Sequence, residues 1–329
     1  FLGALASSYC IEGQEVIASA GSNGIKLWNK FGSNITPSDS DDMANFKPDL
    51  GFNSIRFNQK GDKIITTAST KKGSIINIWD TKTGKDITPP NSEIAKAKPS
   101  HDRFEFACFN EKGDKIISTG YDIQIWDAEE GKDKTPPNSD MEKYDERVLF
   151  ACLNKAEDEI ITSGIFQTIN IWGVKTGDNI TPDIIKSRPS GLTSFVRCNN
   201  KKGQIISLEN GKIKIRNAKT GEDMTPEDSD MEKYDKGVKL ACFNKKGNKI
   251  LSTVDVSPPQ KTMYSQIYHK IKIWDAETGT DITPKIMDEE TGYTKDSDLA
   301  KYQEYILQAQ FNDTGTMIVS VGYRDGIKL

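Results

Sequence analysis

One phrase recurs along this chain: GIKLWNKFGSNITP from Gly24, INIWDTKTGKDITP from Ile76, IQIWDAEEGKDKTP from Ile123 and INIWGVKTGDNITP from Ile169. It continues as IKIRNAKTGEDMTP from Ile213 and IKIWDAETGTDITP from Ile271, and a seventh copy opens as GIKL and stops at Leu329. The anchoring residues Trp28, Trp79, Trp126, Trp172, Arg216 and Trp274 lie 51, 47, 46, 44 and 58 residues apart. A period of that size belongs to stacked or radial repeats. Units so short cannot each enclose a core and must bury surface against their neighbours. The expectation is therefore one domain over residues 1–329, although length alone would give two or three.

The third repeat shows the local physics. Phe104 to Phe109 is apolar enough for a strand covered on both faces. Asn110 to Asp114 is a turn in which Gly113 supplies positive φ. Lys115 to Thr119 makes a second strand, the turn at Tyr121-Asp122 reverses it, and Ile123-Gln124-Ile125-Trp126 alternates as a third. A short fourth strand ends at Thr135-Pro136. Every complete copy carries this proline, at Pro37, Pro89, Pro136, Pro182, Pro226 and Pro284. Proline cannot donate to a ladder, so the fourth strand is placed at the outer edge. A four-stranded antiparallel sheet with a protected edge is a propeller blade. The fold class is thus all-β: a seven-bladed β-propeller of four-stranded antiparallel blades, the last blade incomplete. Its third strand runs to Leu329, so three strands are expected there. Phe1 in place of Met, and a repeat cut in mid-strand, read as a fragment of a longer protein.

These residues carry a family resemblance. The chain resembles the WD-repeat β-propellers along its whole length, a family whose third strand ends in Trp-Asp. Trp79-Asp80, Trp126-Asp127 and Trp274-Asp275 match; Trp28-Asn29 and Trp172-Gly173 match by half; Arg216-Asn217 departs. The turns FNQKGD at Phe57, FNEKGD at Phe109, FNKKGN at Phe243 and FNDTGT at Phe311 are similar to the family's first turn. The resemblance implies a bracing set of His, Ser or Thr, Asp and Trp, for which only the third repeat offers all four, His101, Ser118, Asp122 and Trp126. Elsewhere the His place falls to Tyr144, Tyr234 or Tyr302, whose rings can pack over the blade and make one hydrogen bond. Arg216, at a Trp position, is expected to cover with its stem, leave its head in water and mark the weakest-packed blade.

Cys108, Cys152, Cys198 and Cys242 recur at intervals of 44 to 46 residues. That places them on equivalent strands as apolar filling rather than as a disulfide or metal framework. A reducing, cytoplasmic setting follows. The net charge of −4 lacks the basic footprint of a nucleic-acid binder, and no run of 18 apolar residues could form a membrane span. His101 and His269 are the only histidines, too few for a metal cluster. His101 reads as structural and His269 as exposed in a polar insertion.

Variation concentrates in the connectors and in the turn at 254–270. Taken in the family's strand order, both lie on the face away from the turns after the first and third strands, and variable loops on a rigid scaffold are where binding concentrates. SDMEKYD occurs at Ser139 and Ser229, and Ser139-x-x-Glu142 and Ser229-x-x-Glu232 fit capping boxes that start a short helical turn. Met141 with Tyr144, and Met231 with Tyr234, fall on one side of that turn and pack down onto the blade. Connectors 34–50, 135–147, 225–235 and 285–304 hold 19 acidic against 7 basic residues, which predicts one acidic face suited to a basic partner. SDSDDM at Ser38 lacks the Gly and distal Glu of a calcium loop.

No phosphate-cradling loop, G-x-S-x-G elbow or H-E-x-x-H helix occurs. The sequence therefore points to a non-enzymatic scaffold without cofactor or metal, monomeric within a longer chain. It binds a protein or peptide, and neither nucleic acid nor membrane. Arg103, Tyr121, Arg147, Phe166, Lys236, Tyr305, Tyr323 and Arg324, extended by Tyr264 and Tyr268, are the candidate partner-binding residues; aromatics and Arg dominate binding hot spots. Two alternatives remain open. One is a sensor domain of a multidomain signalling ATPase or protease-like protein, an attachment the resemblance implies. The other is a propeller enzyme or small-ligand binder using the central channel.

Overall fold

Isoleucine alternates with polar residues ahead of each anchor, and β-branched residues in that pattern favour half-buried strands. In the computed structural model the repeats accordingly form three-stranded antiparallel sheets. The structure describes residues 5–11, 14–37, 41–97, 104–144, 146–164, 169–186, 196–199, 202–234, 237–256, 268–287, 294–296, 306–312, 315–322 and 327–328.

Two compact units divide at residues 181 and 182. In the first, β1 (Leu5–Ile11), β2 (Gln14–Gly21) and β3 (Gly24–Asn29) form one sheet, followed by α1 (Asp41–Asn45). β4 (Gly51–Phe57), β5 (Lys63–Thr70) and β6 (Gly73–Asp80) form the next, followed by α2 (Glu93–Lys96). The third holds β7 (Phe106–Phe109), β8 (Lys115–Thr119) and β9 (Ile123–Asp127), and the fourth β10 (Val148–Leu153), β11 (Glu159–Gly164) and β12 (Ile169–Gly173).

The second unit opens with α3 (Asp183–Lys186). Its first sheet, the fifth of the chain, is β13 (Val196–Asn199), β14 (Gln204–Glu209) and β15 (Lys212–Asn217), followed by α4 (Asp230–Lys233). The sixth is β16 (Val238–Phe243), β17 (Lys249–Val256) and β18 (Tyr268–Asp275). A hairpin of β19 (Lys285–Met287) and β20 (Thr294–Asp296) follows, where the sequence shows only a long connector. The seventh sheet is β21 (Ile306–Phe311), β22 (Ile318–Gly322) and β23 (Ile327–Lys328).

The cores lie between consecutive sheets. In the first unit, Ile25, Leu27, Ile55, Ile64 and Trp79 join the first two sheets, and Phe106, Ile125, Ile160 and Trp172 join the third and fourth. In the second unit, Leu208, Ile215, Ile250 and Trp274 do the same for the fifth and sixth. This neighbour-to-neighbour burial is how short repeats gain stability.

The expected fourth strand is not formed. It shrinks to one isolated bridge per complete repeat, such as Trp79↔Asp86 and Trp274↔Asp281. The reason is a side chain. Thr36, Thr88, Thr135, Thr181, Thr225 and Thr283 each accept the N–H of Leu27, Ile78, Ile125, Ile171, Ile215 or Ile273 through Oγ1, at 2.8 to 3.0 Å. The Asx two residues earlier takes the threonine's own N–H, as from Thr88 to Asp86 at 2.9 Å. A hydroxyl thus stands where a ladder carbonyl would be, and the following proline ends the pairing. Three strands in the seventh sheet match the expectation for it, but three is the rule among all the described repeat sheets.

Each tryptophan donates Nε1 to a hydroxyl on the second strand: Trp28 to Ser19, Trp79 to Thr66, Trp126 to Ser118, Trp172 to Thr162 and Trp274 to Ser252, at 2.8 to 2.9 Å. In the fifth sheet the equivalent hydroxyl, Ser207, bonds instead to Glu209 Oε1 at 3.1 Å, and Glu209 takes the Arg216 guanidinium. Arg216 is 1 % exposed. Its head is therefore not in water, because a carboxylate two residues past Ser207 satisfies it. Tyr144 stands edge-on to Trp172 at 4.8 Å and Tyr234 to Trp274 at 5.3 Å, each packing as the sequence indicates.

The connectors clamp successive sheets together. Met43, Ile94, Met141 and Met231 are buried, and their N–H groups donate to Gly84, Gly131, Gly177 and Gly279 of the following sheet at 2.9 to 3.1 Å. The preceding carboxylates, on Asp42, Glu93, Asp140 and Asp230, accept the N–H of Asp86, Asp133, Asn179 and Asp281. The turn glycines must be glycine. A Cβ on Gly177 would lie 2.4 Å from Ser139 Cβ, and one on Gly279 2.6 Å from Ser229 Cβ, both at positive φ. Ser139 and Ser229 cap as expected, but Glu142 and Glu232 reach one residue further back, to the N–H of Asn138 and Asp228. The connectors are thus not confined to the face away from the third-strand turns; their first residues sit on those turns.

Three further expectations change. β17 and β18 continue their ladder to Val256↔Tyr268, so part of the 254–270 insertion is strand, and His269 pairs with Asp255 within it. Cys108 and Cys242 remain thiols, but Cys152 is disulfide-bonded. Placement on equivalent strands does not exclude a bridge, and the sequence support for a reducing compartment falls with that bond. No helix among the described residues is long and apolar enough to cross a membrane.

Candidate functional site

The repeated polar residues are occupied in holding the repeat. Asn58, Asn110, Asn154 and Asn244 each close the first turn. Their Oδ1 accepts the N–H five residues on, and their Nδ2 donates to Asp62, Asp114, Asp158 or Asn248 at 2.5 to 2.8 Å. A site must therefore be sought where residues vary on a constant backbone.

The start of the first strand is such a place. Register shifts fall between Phe52 and Ser54, Val148 and Phe150, Val238 and Leu240, and Ile306 and Gln308. A bulge leaves one extra residue outside the ladder and re-aims its side chain. The bulged residues are Asn53, Leu149 and Lys239, with Leu307 in the seventh sheet; Glu105 takes the equivalent place in the third. The bulge thus carries an amide, an aliphatic or an ammonium group, and the corresponding sequence position of the third sheet a carboxylate. The signal was in the sequence, two residues before the Ile or Ala of Ile55, Ala107, Ala151 and Ala241, but no shared residue type marks it.

In the first unit these positions link up. Asn53 Nδ2 donates to Ser69 Oγ at 2.8 Å and across to Phe104 O at 2.7 Å. Arg147 Nε donates to Glu105 Oε1 at 2.6 Å, with 28 % of the Arg side chain exposed. That bond raises the guanidinium's pKa further, partial burial opposes it, and the nearby Tyr121 adds to the rise. Val148 N–H to Gly120 O at 2.7 Å and Thr119 Oγ1 to Val148 O at 3.2 Å stitch the third and fourth sheets beneath. Leu149 is 40 % exposed beside them. The result is a cationic head held by Glu105, a phenol and an aliphatic side chain on a stitched base.

Of the residues the sequence points to, Tyr121 and Arg147 are brought together here. Tyr268 lies in β18 opposite Val256. Arg103, Phe166, Lys236, Tyr264, Tyr305, Tyr323 and Arg324 lie outside the described residues. Of the bracing set, Trp126 meets Ser118, and Asp122 sits in the turn where its carbonyl receives Gly120 N–H at 3.1 Å; His101 is outside the described residues. Among the described residues no group of three His, Cys, Asp or Glu converges as a metal site would need.

No family model and no curated protein matches the chain. Among solved structures it is similar to the crystal structure of the computationally designed Ika8 protein. The TM-score is 0.58 at 15 % identity, over 95 % of this chain and 79 % of that one. At that identity the likeness is one of fold alone.

Proposed function

We propose that the chain is a seven-bladed β-propeller of the WD-repeat type acting as a non-enzymatic protein-interaction scaffold. Its partner, a protein or peptide segment, docks on the rim formed by the first-strand bulges and the second-to-third-strand turns. The observation that carries this reading is the recurrent bulge, which varies its side chain while every neighbouring polar motif is spent on the repeat itself. Rigid, partly buried Arg and aromatic groups beside an exposed aliphatic are the usual composition of a hot spot.

The test is to isolate a partner by affinity capture and measure its Kd against Tyr121→Ala, Leu149→Ala and Arg147→Ala, with the melting temperature of each variant as control. Losses of about tenfold or more are expected, and substitutions at Lys60, Lys112 and Lys246 should leave affinity unchanged. The reverse pattern would move the interface to the other turns.

A further inference from the structure

Two guanidinium groups are drawn out of water in different ways. Arg216 is buried, and Glu209 meets it at contacts of 2.7 to 2.9 Å. A buried charge is tolerated when it is paired in this manner. Arg56, near the end of β4, lacks such a partner. Its Nη1 donates to the Ile55 carbonyl at 2.7 Å, and its guanidinium carbon stands 5.1 Å from the centre of the Phe106 ring. Among the described residues no carboxylate pairs with it. The side chain keeps some contact with water, yet burial lowers its pKa, and the neighbouring Cys108 only partly offsets that fall. A guanidinium in that state stands at the bottom of a crevice rather than on the open surface.

The position does not call for a cation. Arg56, Cys108 and Cys152 hold one place on the first strands of the second, third and fourth sheets, opposite Ile65, Ile117 and Ile161. Gln310 holds it in the seventh, opposite Val319. We infer that Arg56 is the binding group of a site for a small organic monocarboxylate. With Nη1 engaged by Ile55, the edge formed by Nε and Nη2 matches the two oxygens of one carboxylate. One cation balances one negative charge, so a sulfate or phosphate dianion would bring charge that nothing described there offsets. Phe106 is buried, and the Phe150 ring lies 4.9 Å from it. These rings give an apolar wall for the carbon chain of the acid. The inference does not rest on the scaffold reading.

The probe is sodium butyrate, titrated at constant ionic strength against the full chain. The readout is the nitrogen-15 Nε–H resonance of Arg56, assigned by its loss in Arg56→Gln and in Arg56→Lys. A saturable shift is expected, with a rise in melting temperature that Arg56→Gln loses. Sodium sulfate should bind about tenfold or more weakly. Glutamine holds this place in the seventh sheet, so it suits the backbone. Without ligand, Arg56→Gln should raise the melting temperature by about 1 to 3 °C, because an unpaired charge is removed. Arg216→Gln should lower it. No saturable shift at Arg56 overturns the inference. A loss of stability in Arg56→Gln as large as in Arg216→Gln overturns it too, because the cation would then be structural. Sulfate saturating as readily as butyrate would assign the site to inorganic anions. A shift with acetyl-glutamate amide and none with butyrate would assign it to a partner's side chain. Either result contradicts a small acid as the ligand.

Discussion

Arg216 and Glu209 form a two-point ion pair inside the fifth sheet. Nε donates to Oε1 at 2.9 Å, and Nη2 to Oε1 and Oε2 at 2.7 and 2.8 Å. At the place of Glu209 the other sheets carry Gly21, Ala68, Gly120, Gly164 and Val254, so the charged pair replaces a tryptophan and a small or apolar residue together. Removing one partner strands the other's charge. Glu209→Ala, or Arg216→Trp alone, should destabilise by about 2 to 4 kcal/mol. The double change Arg216→Trp with Glu209→Gly should recover most of the loss. A denaturant double-mutant cycle measures the coupling; additive effects would mean the pair contributes nothing as a unit.

The threonine that stands in for a fourth strand can be tested without changing shape. Thr181→Val keeps the volume but leaves the Ile171 N–H without its 2.8 Å acceptor. A cost of about 1 to 3 kcal/mol is expected, with faster amide exchange at Ile171. Unchanged exchange there would show that the hydroxyl is not the ladder's acceptor.

The clamp between connector and turn predicts a contrast between two glycines of equal conformation. Gly177 (φ +71°) abuts Ser139, whereas Gly32 (φ +78°) faces open space. Both alanine variants share the backbone strain, so Gly177→Ala should be the less stable by about 1 to 3 kcal/mol. Equal melting temperatures would contradict the clamp.

Acid should loosen the outer edge. Burial acts to raise the Asp281 pKa, but Lys272 and the hydroxyl and N–H of Thr283 outweigh it and hold the carboxyl below its ordinary range. A lowered folded-state pKa contributes stability that is present above the ordinary carboxylate value of about 4 and lost as pH falls through the lowered one. Asp281→Asn should therefore unfold at lower urea than wild type at pH 7, and the gap should close below about pH 4. A gap that persists at low pH would assign the effect to geometry rather than charge.

Much of the repeat is legible because its parts are marked by residue type. The Trp anchors, the Asn-led turns and the Ser-capped connectors each repeat one identity at one place, and the structure gives each the same bonds from repeat to repeat. What stays hidden lacks that signature. Thr135-Pro136 reads as a fourth strand because a backbone pattern does not reveal that a hydroxyl will take the ladder bond. Glu209 carries no signal of its own, since its significance depends on Arg216, seven residues on and reaching it from the adjacent strand of the hairpin. Asn53, Leu149 and Lys239 escape a sequence reading because they share a backbone conformation and no chemistry. Arg147 and Tyr121 stand out by type alone, and their proximity comes only from the stitching of the third and fourth sheets.

The claim that recognition lies on the first-strand rim is tested most directly by hydrogen exchange of the full chain with and without its captured partner. Protection is predicted at amides around Asn53, Glu105, Tyr121 and 147–149, with no change in the turns at 58–62, 110–114 and 244–248. Protection confined to those turns, with the rim unchanged, would contradict it.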